Sequence, residues 1–229
     1  MVAWYPGDGN ANDVQGGNNG TLQGGATFTS GKVGQAFSFN GSSWVSVPDA
    51  ANLHFTSQFT LDAWVNPVSL SGFPMIFSKF GSANDSSYEL HLQPDGSVRA
   101  NVSGNGSTLD ALVSGAGVVT AGTWSQVATT FNAGDWKIYV NGVVVASKTF
   151  TVTSVFPGTA TLLIGRDVGT THFFNGLIDE AELFNLALSD MDVAAIANAG
   201  SAGKCRAFGA HDVLISEFRR LIRRHDGLA

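Results

Sequence analysis

The chain has 229 residues, enough for one β-sandwich with a full core, and only 13% of them are charged, about half the roughly 25% of an average globular protein. Residues 1–205 carry 7 Lys and Arg against 15 Asp and Glu, whereas residues 206–229 carry 5 against 3, so an acidic body (−8) precedes a basic end (+2). Such a body argues against nucleic-acid binding, which needs clustered Lys and Arg to neutralise phosphate. No apolar run approaches the roughly 18 residues that span a bilayer. The single cysteine, Cys205, forms no intrachain disulfide and is either a free thiol or a bridge between chains. Met1-Val2-Ala3-Trp4 runs directly into domain sequence without a secretory signal, as expected of a domain excised from a larger exported protein.

In chain order, residues 7–31 are rich in Gly and Asn and read as a loop that buries little apolar surface and takes its order from elsewhere. A strand is expected over residues 34–39, with Phe37 and Phe39 opposed to Ala36, Ser38 and Asn40, and Trp44-Val45-Ser46-Val47 forms another. Residues 59–66 alternate, with Phe59, Leu61, Ala63 and Val65 on one face. Met75 to Lys79 follows, then a hairpin from Tyr88 to Arg99 that turns at Pro94-Asp95-Gly96, and a weak strand over residues 112–119. Trp124, Gln126, Ala128 and Thr130 take one face of the next strand; Ser125, Val127, Thr129 and Phe131 take the other. After the turn at Asn132-Ala133-Gly134-Asp135, residues 136–141 alternate again. Asn141-Gly142 then supplies the positive φ angles of a tight hairpin. Residues 160–165 and 173–185 complete the strands, and Ser189 is placed to cap a short helix over residues 190–197. Trp64, Trp124 and Phe131 obey the alternation and are expected in the core. Residues 212–224 have helical period, with Leu214, Phe218, Leu221 and Ile222 on one face and arginines mostly opposite. These residues divide the chain into a sandwich, 1–203, and a basic amphipathic tail, 204–229, suited to docking or self-association.

Several segments carry a family resemblance in the right order. They are Phe59-Thr60-Leu61-Asp62-Ala63-Trp64-Val65-Asn66-Pro67, the 88–99 hairpin, and the strand-turn-strand from Trp124 through Tyr139-Val140-Asn141-Gly142. Leu163-Ile164-Gly165 with Phe174-Asn175-Gly176-Leu177-Ile178-Asp179-Glu180, and Leu186-Ala187-Leu188-Ser189, complete the set. Together they resemble the laminin-G-like, concanavalin A-like lectin and glucanase jelly rolls, to which the pentraxins are related. The resemblance covers about residues 3–200. It implies an all-β, two-sheet antiparallel jelly-roll sandwich, used as a non-catalytic carbohydrate- or surface-binding module of an extracellular or cell-surface protein, with a glycan or an extracellular protein as partner.

Two sites are expected on that scaffold. The resemblance implies a structural calcium held by Asp13, by carbonyls of the turn Phe39-Asn40-Gly41-Ser42, and by Asp179, with Asp13, Asn40 and Asp179 at the matching positions. Asp8, Asn10 and Asn12 add further oxygens in the glycine-rich loop, in keeping with the six to eight oxygen ligands that Ca²⁺ takes. The bland alternative is that these are turn-forming side chains. A glycan platform needs aromatic faces for C–H contacts and fixed polar groups for hydroxyls. Phe73, Asn84, Asp85, Arg166, His172 and Phe173 are the candidates, with Phe80, Phe156, Phe174 and Asp167 near them in sequence. Glu180 and Glu182 have the two-residue spacing of a glycosidase pair, which keeps a hydrolase or lyase as the alternative. Their context lacks the residue order of such enzymes, and a retaining pair needs carboxyls about 5 Å apart. A purely adhesive spacer is the third reading. No Gly-x-Ser-x-Gly elbow and no zinc spacing of histidines occurs.

Overall fold

Period-2 alternation with little charge means that each strand has one face to bury, and two such sheets bury those faces against each other. A computed structural model describes residues 1–82, 84–169 and 171–203. The basic amphipathic tail expected at 204–229, with Cys205, lies outside them.

The described strands are β1 (Ala3–Tyr5), β2 (Thr21–Gln23), β3 (Thr27–Ser30), β4 (Gln35–Asn40) and β5 (Trp44–Val47). There follow β6 (Gln58–Pro67), β7 (Met75–Phe80), β8 (Ser86–Leu92), β9 (Val98–Ser103) and β10 (Leu109–Val113). The last are β11 (Ser125–Asn132), β12 (Asp135–Val140), β13 (Val143–Thr149), β14 (Leu162–Ile164) and β15 (Asn175–Phe184), before the helix α1 (Asp190–Ala199). They form two antiparallel sheets. The eight-stranded sheet runs β13-β12-β11-β6-β15-β4-β3, with β1 also on β15; the seven-stranded sheet runs β10-β9-β8-β7-β14-β5-β2. The expected jelly-roll sandwich is therefore present.

Between the sheets lies an aromatic core. Phe55 stacks on Phe59 and on Tyr88, with centroids 5.5 and 5.0 Å apart, and Phe59 continues to Phe131 at 5.6 Å. Phe131 meets Trp136 edge-on at 5.8 Å. Each ring is essentially buried, which contributes roughly 2–3 kcal/mol apiece. Ser189 caps α1 as expected: its hydroxyl accepts from the Asp192 N–H, and the Asp192 carboxylate accepts from the Ser189 N–H in return. The helix lies on the outer face of the eight-stranded sheet, where Val193 packs with Ala128 and Tyr139, and the Tyr139 hydroxyl donates to Asp190.

Four expectations need correction. The 7–31 segment is not all loop, since it contributes β2 and β3 as edge strands. The strand expected at 112–119 lies at 109–113, where Leu109, Ala111 and Val113 share the outer face. Phe131 is in the core, but Trp64 lies on the outer face with Lys32 4.3 Å over its ring, and Trp124 is half-buried just ahead of β11. The core face of β11 is instead its Val127, Thr129 and Phe131 row. Finally, β15 is bulged: Asp179 opposes Trp64 and Glu182 opposes Asp62, three residues against two, with Glu180 at φ +51°.

Candidate functional site

The outer face of the seven-stranded sheet concentrates chemistry at one end. β14 runs antiparallel to both β7 and β5, so the residues after Ile164 arrive beside the start of β7 and the start of β5. Arg166 lands over the Trp44 ring, 4.3 Å from its centroid, and 4.9 Å from that of Phe173, giving cation–π contact with two rings. Its Nε donates to the Asp167 carbonyl and its Nη2 to the Gly169 carbonyl, which fixes the guanidinium plane. The His172 ring sits 2.6 Å from the Asp167 carboxylate and meets Phe73 edge-on at 5.6 Å. Phe73 in turn lies 6.3 Å from the ring of His91 on β8. Phe73 is 40% exposed and has φ +56°, a left-handed backbone that a bulky residue adopts only under constraint.

The floor beside these rings is polar. On β8 and β9, Glu89 opposes Asn101 and His91 opposes Arg99. Glu89 accepts from the Ser78 hydroxyl at 2.7 Å and from the Asn101 amide at 3.2 Å, and Asn101 accepts from Arg99 Nε at 2.9 Å. Burial pushes the Glu89 carboxyl up to about 7 despite those two hydrogen bonds. Burial likewise pushes His91 down to about 4, helped by the positive charge of Arg99. His91 is therefore neutral at pH 7. Its Nδ1–H donates to the Leu92 carbonyl, which leaves Nε2 as an acceptor.

Four of the six expected ligand residues thus converge: Phe73, Arg166, His172 and Phe173. Asn84 and Asp85 do not. They lie in the β7–β8 turn, at the opposite end of the sheet, where Asp85 accepts from the Thr159 N–H and serves the loop around Gly81 and Gly158. Trp44, Glu89, His91, Arg99 and Asn101 belong to the site and were missed. The available signal was the 88–101 hairpin, where charged residues occupy the alternate positions of a chain otherwise poor in charge.

The calcium ligands expected from the sequence do not make one set. Both Asp13 oxygens are already occupied by donors. Oδ1 accepts from the N–H groups of Trp4, Gln15 and Gly16, and Oδ2 from the N–H and side-chain amide of Asn18. Asn40 Oδ1 accepts from the Ser42 N–H and hydroxyl. Asn40 opposes Asn175, four residues along β15 from Asp179, or roughly 13 Å at the strand rise. Asp179 Oδ2 accepts from the Val33 N–H, while Oδ1 is buried without a hydrogen bond. Burial, reinforced by the charge of Asp8, raises the Asp179 carboxyl to about 7 against the pull of the backbone N–H groups. Among the described residues no three His, Cys, Asp or Glu side chains are grouped as metal ligands. Asn40 and Asp179, that far apart along the direction of β15, do not fit the coordination sphere of one calcium ion.

Glu180 and Glu182 are both buried. Glu182 is fully buried, Glu180 is 5% exposed, and the latter accepts from the Trp4 indole N–H at 3.1 Å. The bulge between them removes the simple two-residue alternation, and the end of α1 stands over Trp64 and Glu180.

Residues 39–194 match the family model of the concanavalin A-like lectin/glucanases superfamily, a span of more than half the chain. The chain belongs to this superfamily. Among solved structures, this superfamily member is similar to domain 4 of AbnA, a GH43 extracellular arabinanase from Geobacillus stearothermophilus, solved with arabinotriose. The two share 27% identity and a TM-score of 0.70, over 86% of this chain and 97% of that one. The CBM40 of the Ruminococcus gnavus IT-sialidase, solved with α2,3-sialyllactose, gives 17% identity and a TM-score of 0.60 over 71% and 96%. The binding domain of Paraclostridial Mosquitocidal Protein 1 gives 15% and 0.68 over 86% and 52%. At these lower identities the likeness is one of fold. No curated protein sequence matches the chain.

Proposed function

We propose that this chain is a non-catalytic carbohydrate-binding module of an exported protein. The glycan lies on the outer face of the seven-stranded sheet, at the Trp44, Phe73 and Phe173 end. The observation that carries this reading is Phe73. Its ring is held out over the sheet by a left-handed backbone, beside a fixed Arg166–Trp44–Phe173 stack and a floor of buried polar groups. Strain of this kind persists where a site over-determines it. A ring face takes the C–H side of a sugar, while His91 Nε2 and Arg99 offer partners to its hydroxyls. The likeness to an extracellular arabinanase domain solved with arabinotriose supports both the ligand class and the exported setting.

The test is a glycan array followed by calorimetry, with a parallel assay for reducing-sugar release. Binding that Phe73→Ala abolishes, without release of sugar, supports the module. Release that disappears in Glu180→Gln and Glu182→Gln variants would establish the hydrolase reading instead. Absence of any glycan binding would refute the proposal.

A further inference from the structure

Residues 1–203 contain only two arginines, Arg99 and Arg166, and three histidines, of which two are His91 and His172. Both arginines and those two histidines lie on this one face, in a body whose net charge is otherwise strongly negative. The two arginines are used differently. Arg166 is committed to two rings and two backbone carbonyls. Arg99 is held only through Nε, by Asn101, and among the described residues neither of its terminal nitrogens has an acceptor. Glu89, two residues along β8 from His91, makes no ion pair with Arg99; its oxygens accept from Ser78 and Asn101. The Asp167 carboxylate is paired through Oδ2 with His172.

Arg99 therefore presents an oriented, unpaired fork of donors beside the glycan face. Cross-strand neighbours fix its place. His91 is directly opposite on one side and Val113, 41% exposed, on the other. From Phe73 through His91 to Arg99 is on the order of 10 Å, which one sugar ring and its substituents bridge. A planar guanidinium with Nε tied down pairs two N–H groups with two oxygens of one carboxylate, a geometry that a lone hydroxyl does not fill.

We infer that the ligand carries a carboxylate, as in a uronate, and that Arg99 reads it in a bidentate pair while the sugar ring rests on Phe73. This rests on the glycan-binding reading above. The same fork would accept the carboxylate of a sialate, and the array distinguishes the two by including both.

The test uses the full chain and three probes measured by calorimetry: trigalacturonate, its methyl ester and arabinotriose. The acid is expected to bind at least about tenfold more tightly than the ester, the return on one charge-assisted pair. Arg99→Gln should erase that preference and Arg99→Lys should lose most of it, because the charge remains but the fork does not. Unchanged melting of both variants shows that the fold is kept. Phe73→Ala should weaken acid and ester alike. On the array, preference for sialate over uronate would keep the carboxylate and reassign the sugar. Equal affinity for acid and ester, or a preference that survives Arg99→Gln, overturns the inference and leaves the module standing. If wild type binds no glycan on the array, the module falls, and this inference with it.

Discussion

Replacing Asp13 by Ala tests what orders the glycine-rich segment. Its carboxylate collects five hydrogen bonds of 2.9–3.0 Å from Trp4, Gln15, Gly16 and Asn18, although the residue is only 6% exposed. The Trp4 N–H is buried, and leaving it unsatisfied costs about 2 kcal/mol. The other four donors are part-buried and regain water, so each loses about 0.5 kcal/mol. The total is about 4 kcal/mol. In a domain of this size each kcal/mol moves the melting midpoint by about 2–4 °C, so a drop of roughly 8–16 °C is expected. Asp13→Asn should lose less, since Oδ1 keeps its three donors and only the Asn18 pair faces an amide. Melts followed by circular dichroism in calcium and in EDTA decide the cause. If hydrogen bonding is responsible, the loss is the same in both buffers. A loss seen only with calcium would make Asp13 a metal ligand, and a loss below about 1 kcal/mol would mean that the segment is ordered by something else.

Three further outcomes are expected. Glu89 holds a proton in the folded state between its usual 4.5 and about 7, so it makes stability fall as pH rises through that window, whereas His91, moved from 6.5 to about 4, makes stability rise. Between about pH 4.5 and 6.5 the two oppose each other; chemical denaturation across this range should show stability rising with pH in Glu89→Gln and falling in His91→Gln, and equal slopes in the two variants would contradict the burial argument. Lys79 is fully buried, with Nζ 2.5 Å from Asp49 and 2.6 Å from the Ala160 carbonyl, so Asp49→Asn should cost about 3 kcal/mol by urea denaturation. Burial disfavours the Asp49 charge, but its bonds to Lys79 and His54 outweigh that and hold its carboxyl below 3.8; the stability it contributes is therefore present above that pH and lost as pH falls through the lower folded value, and the variant should lack this acid limb. Phe73→Gly should relieve the left-handed strain and raise stability by about 1 kcal/mol while abolishing glycan binding; a destabilised variant would show that Phe73 is a packing residue.

Much of the sandwich was legible because burial imposes a period. Phe59, Leu61, Ala63 and Val65 alternate as one face, which is the buried one, and Asn141-Gly142 reads as a tight turn; Asn141 and Gly142 do have φ of 52° and 78°. The edge strands β2 and β3 were illegible because edges bury little, and Thr21-Leu22-Gln23 looks like the loop around it. The bulge at Glu180 was equally hidden, since nothing in Ile178-Asp179-Glu180-Ala181-Glu182 marks the residue that leaves the ladder. Trp64 and Trp124 misled because alternation says which residues share a face, not which face is inside. For the site, loop aromatics mark one end of the sheet, but Asn84 and Asp85 adjoin the same strand β7 in sequence, and only the direction of β14 places Arg166 at the far end from them. Glu89, His91, Arg99 and Asn101 were readable as an alternate polar row whose destination required the register.

The pairing of β1 with β15 has a consequence for how the module can be displayed. Val2 donates to the Leu183 carbonyl, and Gly203 lies against Val33 beside Trp64 and Glu180, so both ends of the described chain sit on the eight-stranded layer. The rings and the Arg99 fork are on the other layer. A carrier fused ahead of residue 2 or after residue 203 would leave from the back of the sandwich, and several copies fixed to a flat support by either end would all turn the same face outward. Multivalent capture of a polysaccharide then depends on linker reach alone, because no copy needs to rotate to engage.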